Sequence, residues 1–447
     1  MFEYKNQDKN YIKSCSFLND SQWINDFDID QKISLLLEML YSSHFEELFI
    51  VYQSLKKLAK KGKINEIHMK NIVSIIHFQL YDQDKDITIF LKIIKFLSSK
   101  FYRMLTLIQE HGIIKILKNL IFSEISNTDI SIIINIMALL LNANVSTCEI
   151  IEKSFIVNFF DIFRSSFDGF RKGDTPKDYS RVIERCNRFI AQLYIHYDTV
   201  SIIYPDLNHE SVGYISQSLN EDDDGIITSA LIGLSNIFCF CKSISGAFCE
   251  EKIMKSIIPL IQINRGYIQQ ATFCLLREIT GCDGDEYVLI LKYSGFFKQK
   301  ILFSSLSDHV RPKFIKIIKN IALCEDESII ESLFESKWVE NIIDSLNSIP
   351  YKLQKLFSEF IAAILEKGEL FFSMKLLEIF PDIASFLFSL LESEDDDLTS
   401  ICSSLNILKE IGENNPNSLD GLLSAFQDPY FIELLQNSEE KQTRQDI

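Results

Sequence analysis

ALIGLSNIFCF (Ala230–Phe240), TFCLLREITGC (Thr272–Cys282) and FIKIIKNIALC (Phe314–Cys324) follow one another at one constant step, about 42 residues. Set in register, they share columns. Leu234, Leu276 and Ile318 form one apolar column, and Ile237, Ile279 and Ile321 form another. A polar column, Asn236, Glu278 and Asn320, runs beside them. Within the first stretch the apolar residues Ile227, Ala230, Leu231, Leu234, Ile237 and Phe238 recur at the spacing of one helix face. A helical pattern repeated at a fixed step of this length marks a repeat architecture.

The same step appears on either side of these helices. Apolar runs that follow a short polar break begin at His111, Lys153, Glu251, Ser294 and Ser336. All but one of the intervals between them equal that step, and the interval from Lys153 to Glu251 is more than twice as long. ESVGYISQSL (Glu210–Leu219) supplies the unit inside the long interval, one step before Glu251 but well over one step after Lys153. The excess of about 15 residues falls on SSFDGFRKGDTPKDYS (Ser165–Ser180), rich in Gly and charge, which reads as a loop inserted into one unit at about 165–180. The tetrapeptide Glu-Asp-Asp-Asp occurs twice, from Glu221 and from Glu394, about four steps apart. Each copy precedes a long helical pattern. An acidic run there is explained by capping of free amide groups and by the positive end of the helix dipole, with no metal required.

Each unit therefore holds a short, a medium and a long helix. This resembles the armadillo repeat, which has three helices in about 42 residues, a residue pair ending in Gly before the second, an acidic turn, and a third helix reading roughly A-x-x-A-L-x-N-L-A. ITSALIGLSNIF (Ile227–Phe238) and KFIKIIKNIAL (Lys313–Leu323) are the nearest third helices, and MLTLIQEHGIIKILKNLI (Met104–Ile121) matches the first two. The resemblance, shared with importin-alpha and beta-catenin type arrays, implies an all-α, right-handed α-solenoid of about eight to nine repeats. The expected layout is an N-terminal polar segment and capping helices over 1–64, the array over 65–425, and a capping helix end and tail over 426–447.

Hydrophobic residues make up 47% of the chain, enough for a continuous core, and Gly (15) and Pro (8) are too few for a sandwich or barrel. The formal charge of −17 opposes nucleic acid and anionic membranes, because phosphate binding draws on Lys and Arg. No apolar run is long enough to insert in a membrane. Ten scattered Cys without framework spacing point to free thiols in a cytoplasmic protein, with the nucleus as the alternative. Chemistry-bearing motifs fail on inspection. DQDKDI (Asp82–Ile87) begins like a calcium loop but has Ile87 where Gly is needed and Ile93 where Glu is needed. Cys239 and Cys241 stand on opposite sides of one helix and, with Cys249, read as core thiols. Trp23 and Trp338 read as core anchors. No cofactor is expected, and no catalytic constellation; the chain reads as a non-enzyme.

Repeat arrays of this kind bind proteins and peptides. The leading expectation is a non-catalytic scaffold or adaptor that holds an extended peptide, or a partner protein, on the concave third-helix surface. Asn236, Glu278 and Asn320 are the candidate binding residues, with Lys316 one turn from Asn320. Glu278 is expected to favour an isolated basic residue of the partner. Arg171 and Lys172, in the expected loop, are secondary candidates. One alternative is a nuclear-import adaptor resembling importin-alpha; there the column that carries Trp in that family reads Ile232, Cys274 and Lys316. Another is a regulatory subunit or exchange factor gripping a folded partner.

Overall fold

The acidic run at Glu221–Asp224 caps a helix. Asp223 precedes the helix Asp224–Phe240, and its Oδ1 accepts hydrogen bonds from the amides of Gly225 (2.8 Å) and Ile226 (3.0 Å). Two of the four amides that a helix start leaves unpaired are thereby satisfied. The second copy, from Glu394, lies outside the described residues. The computed structural model describes residues 29–434, apart from 43–44, 82–86, 145–149, 174–175, 241–250, 283, 392–398, 416–419 and 431. Asp82–Asp86, Trp23, Cys241 and Cys249 are thus not described. Among the described residues there is no strand, and no helix is long and apolar enough to cross a membrane.

The chain divides into two compact units, Met1–Tyr214 and Ile215–Ile447. The first contains α1 (Ile29–Ser42), α2 (Phe45–Lys60), α3 (Glu66–Leu80), α4 (Thr88–Ser98), α5 (Tyr102–Glu110), α6 (Ile113–Leu120), α7 (Asn127–Asn142), α8 (Lys153–Lys172), α9 (Pro176–Ile195) and α10 (Tyr197–Ile203). The division falls within α11 (Leu207–Leu219). The second unit continues with α12 (Asp224–Phe240), α13 (Glu251–Ile257), α14 (Gly266–Thr280), α15 (Glu286–Tyr293), α16 (Arg311–Ala322), α17 (Glu327–Glu335), α18 (Trp338–Ile343), α19 (Tyr351–Glu366), α20 (Leu370–Ile379), α21 (Ile383–Leu391), α22 (Thr399–Asn414) and α23 (Asp420–Phe426).

In each unit one set of helices packs in sequence as a ladder: α2, α4, α7 and α9 in the first, and α12, α14, α16, α19 and α22 in the second. These are the third helices of the repeats. One apolar stripe cannot bury itself, so the stacked neighbours do it. Ile133, Ile136, Leu140, Leu234, Leu276, Ile318 and Ile361 are all fully buried. A second repeated device turns the chain between the first two helices of a unit. Gly112 (φ 66°), Gly295 (φ 88°) and Lys337 (φ 60°) are all left-handed, each directly before a second helix or turn. Gly takes that conformation freely, whereas Lys337 is strained by roughly 1 kcal/mol or more.

Two sequence expectations need correcting. The stretch 165–180 is mostly helix rather than an inserted loop. The extra residues lengthen α8 and α9, each 20 residues long, which pack on one another. Phe155, Phe159, Phe163 and Phe167 form an unbroken buried stripe at helical spacing, and this holds α8 helical through its polar end. Gly173 (φ 79°) then stops the helix, and Pro176 opens the next. Gly169 is needed for contact: a Cβ there would stand 2.3 Å from the Tyr179 ring. Arg171 and Lys172 consequently sit in the last turn of α8, exposed, where cations favour the negative helix end.

The second departure is the apolar run after Ser294, which is not a medium helix. Phe296–Lys298 and Phe303–Ser305 are single 3-10 turns. Trp338 explains the opening. Its ring packs against Phe296 (4.9 Å between centroids) and Phe297 (5.5 Å), and its Nε1 donates to the Gln299 carbonyl at 3.0 Å. That carbonyl is thus taken by the next repeat rather than by a helix.

Candidate functional site

A third helix flanked by two others and covered by the shorter helices keeps one polar strip in contact with solvent. On α16 the strip comprises Pro312, Lys316, Lys319 and Asn320; on α19 it comprises Lys352, Lys355, Leu356 and Glu359. Both follow the spacing of a single helix face. Together with Leu353 they line an open groove of about 680 Å³. Lys316 and Lys352 are exposed, and Lys355 and Leu356 half-buried. Lys319 Nζ reaches Glu359 Oε2 at 2.6 Å across the groove. Among the described residues, neither Lys316 nor Lys352 has an ion-pair partner. The groove therefore holds four lysines against one carboxylate.

The polar column behaves differently from residue to residue. Asn320 is half-buried, and its Nδ2 donates to the Arg277 carbonyl and to Thr280 Oγ1, both at 3.3 Å. Thr280 gives its own hydroxyl hydrogen to the Leu276 carbonyl at 2.9 Å, so it accepts from Asn320, which fixes the orientation of the amide. Gly281 makes room for this contact, since a Cβ there would lie 3.2 Å from Nδ2. Glu278 is taken by its neighbour: Arg277 Nε donates to Glu278 Oε1 at 2.9 Å, and the pair is an ion pair. That hydrogen bond pushes the Arg277 guanidinium further above its ordinary range. The carboxylate expected to recruit an isolated basic residue is thus already neutralised. Asn236 is half-buried on α12, with no hydrogen-bond partner among the described residues.

Of the sequence candidates, the groove brings together Lys316 and Asn320. Arg171 and Lys172 belong to the first unit, where the Arg171 guanidinium lies 6.0 Å from the Phe167 ring centroid. Lys319, Lys352, Lys355 and Glu359 were missed. Their signal was the lysine run K-x-x-K-x-x-K over Lys313–Lys319 and K-x-x-K over Lys352–Lys355, which reads as an ordinary solvated face until the two helices are placed side by side. Cys239, expected in the core, is exposed. Cys282 and Cys324, one repeat apart, make the same contact: each thiol donates to the carbonyl four residues back, Glu278 at 3.3 Å and Asn320 at 3.7 Å. Burial, helped by the Asp285 carboxylate, pushes the Cys324 thiol up to about 12. Among the described residues, no group of three or more His, Cys, Asp or Glu could hold a metal ion.

No protein-family model and no curated protein matches this sequence. Solved structures do match. An engineered protein from a structural genomics consortium aligns over 92% of this chain and 98% of its own, at 15% identity and a TM-score of 0.63. The fold is armadillo-like. A designed armadillo repeat protein solved with a peptide, (KR)4, aligns over 56% of this chain and 98% of its own, at 15% identity and a TM-score of 0.47. Computationally designed armadillo repeat proteins for modular peptide recognition cover 52% of this chain and 99% of theirs, at 19% identity and a TM-score of 0.42. At 15% identity the likeness to the engineered protein is one of fold alone.

Proposed function

We propose that this chain is a non-catalytic protein-binding scaffold that holds an extended polypeptide segment on the third-helix face of its second unit. The observation that carries the reading is the groove between α16 and α19, about 680 Å³ and open to solvent, with an apolar floor at Pro312, Leu353 and Leu356 and polar groups along its walls. Asn320 Oδ1, which has no donor among the described residues, can accept an N–H from such a segment, while Nδ2 is held by α14. Asn236 offers a further amide on the same ladder. An import-adaptor role is less well supported. A cation, Lys316, occupies the column where that family carries Trp, and it would repel a basic import signal.

Selection of a displayed random-peptide library on the full chain tests the proposal. Peptides enriched on this protein should compete with one another. Filling the groove with Leu356→Trp should weaken them by more than about tenfold, which corresponds to about 1.4 kcal/mol, with circular dichroism unchanged. Peptides that bind Leu356→Trp as well as the parent protein would place recognition elsewhere and overturn the reading.

A further inference from the structure

The charge in the α16–α19 groove opposes that of the chain. The protein carries −17 overall, yet the groove is lined by Lys316, Lys319, Lys352 and Lys355 and by one carboxylate, Glu359, which Lys319 engages, while Lys355 makes an interaction of its own. A fold that needed only solubility could place acidic residues here as it does elsewhere. Lys316 and Lys352 stand on adjacent helices with no carboxylate paired to either among the described residues. Between the charged walls lie Pro312, Leu353 and Leu356, a surface for one small apolar side chain.

We infer that the segment held in this groove is acidic, with two carboxylates flanking an apolar residue, one reaching Lys316 and the other Lys352. This rests on the groove being a peptide site and names the chemistry of its occupant. Packed helices lie about 8–10 Å apart, and an extended chain advances about 3.3 Å per residue. Carboxylates about two or three residues apart therefore match lysines on neighbouring helices. Near physiological salt the Debye length is about 8 Å. The lysines of the groove lie within a Debye length of a seated carboxylate and are only partly screened from it, while the acidic surface beyond is largely screened. The Arg277–Glu278 pair next to Asn320 is internally neutral and neither attracts nor repels the segment.

The test uses the full chain and three fluorescein-labelled peptides on one Gly/Ser frame with a central Leu, in which the flanking residues are all Glu, all Gln or all Lys. Fluorescence anisotropy near physiological salt should rank the Glu peptide at least about tenfold tighter than the Gln peptide, with the Lys peptide weakest. Lys316→Gln with Lys352→Gln should remove that preference while leaving helicity and melting unchanged. A Glu peptide that binds no tighter than the Gln peptide, or that is indifferent to the double variant, overturns the inference. The Leu356→Trp variant separates this outcome from failure of the groove itself. If the Gln or Lys peptide binds and is displaced by Leu356→Trp, the groove is a peptide site and only the acidic assignment falls. If none of the three binds and library selection also enriches nothing, both fall.

Discussion

The two faces of α16 use the same kinds of residue for opposite ends. Toward α14, polar groups are consumed in holding repeats together: Asn320 bonds to Arg277 and Thr280, Gly281 opens the space, and Arg277 neutralises Glu278. Toward α19, the polar groups exceed what the fold can pair, leaving Lys316 and Lys352 without partners among the described residues. A polar column in a repeat is therefore not a binding site by virtue of being polar. What distinguishes the two sides is whether a residue's hydrogen-bonding and charge are satisfied within the fold. Substitutions on the α14 side should cost stability, substitutions on the α19 side should cost binding, and Asn320, which meets α14 through Nδ2 and also lines the groove, should affect both.

Contacts between successive repeats provide the largest expected effect. Trp338 is fully buried and bonds to Gln299 of the preceding repeat, so Trp338→Ala should lower stability by about 3–5 kcal/mol in denaturant titration. Loss of less than about 1 kcal/mol would mean that the repeats are not coupled through this side chain. Asn320→Ala removes two hydrogen bonds between repeats, while the Arg277 carbonyl keeps the Gly281 amide as a donor at 3.0 Å. A loss of about 1–3 kcal/mol is expected. Gly281→Ala should act through the same contact, by about 1 kcal/mol, because its Cβ crowds the Asn320 amide. In a double-mutant cycle the two should be clearly non-additive; simple additivity would show that Gly281 serves something other than this bond. Lys316→Gln and Lys352→Gln should leave the melting transition within about 0.5 kcal/mol of the parent. A marked loss of stability from either would break the comparison, since it would mean that these lysines are structural after all.

Much of the fold was legible because it depends on periodic apolar burial. The buried columns Leu234–Leu276–Ile318 and Ile237–Ile279–Ile321 follow from spacing alone, and so does the cap supplied by Asp223. Composition misled where a stripe overruled it: the Gly- and charge-rich stretch after Ser165 stays helical because the Phe stripe of α8 continues through it. Two of the six polar residues of the candidate site were visible, Lys316 and Asn320, because both lie on a repeated helix. The other four were not: Lys319 becomes part of the site only through Glu359, and Lys352, Lys355 and Glu359 belong to a helix whose alignment with α16 depends on how the two pack.

By itself the sequence determined that this chain is a ladder of three-helix units, because a stripe that recurs every helical turn, in units that recur at a fixed step, can be buried only by stacking. Which polar residues are free, and so available to a partner, was decided by the tertiary structure alone. Pairing is a property of distance between helices. Arg277 and Glu278 are neighbours in sequence, but the partner of Asn320 is 43 residues away at Arg277, and that of Lys319 is 40 residues away at Glu359. Until those helices stand side by side, an engaged carboxylate and a free lysine look the same.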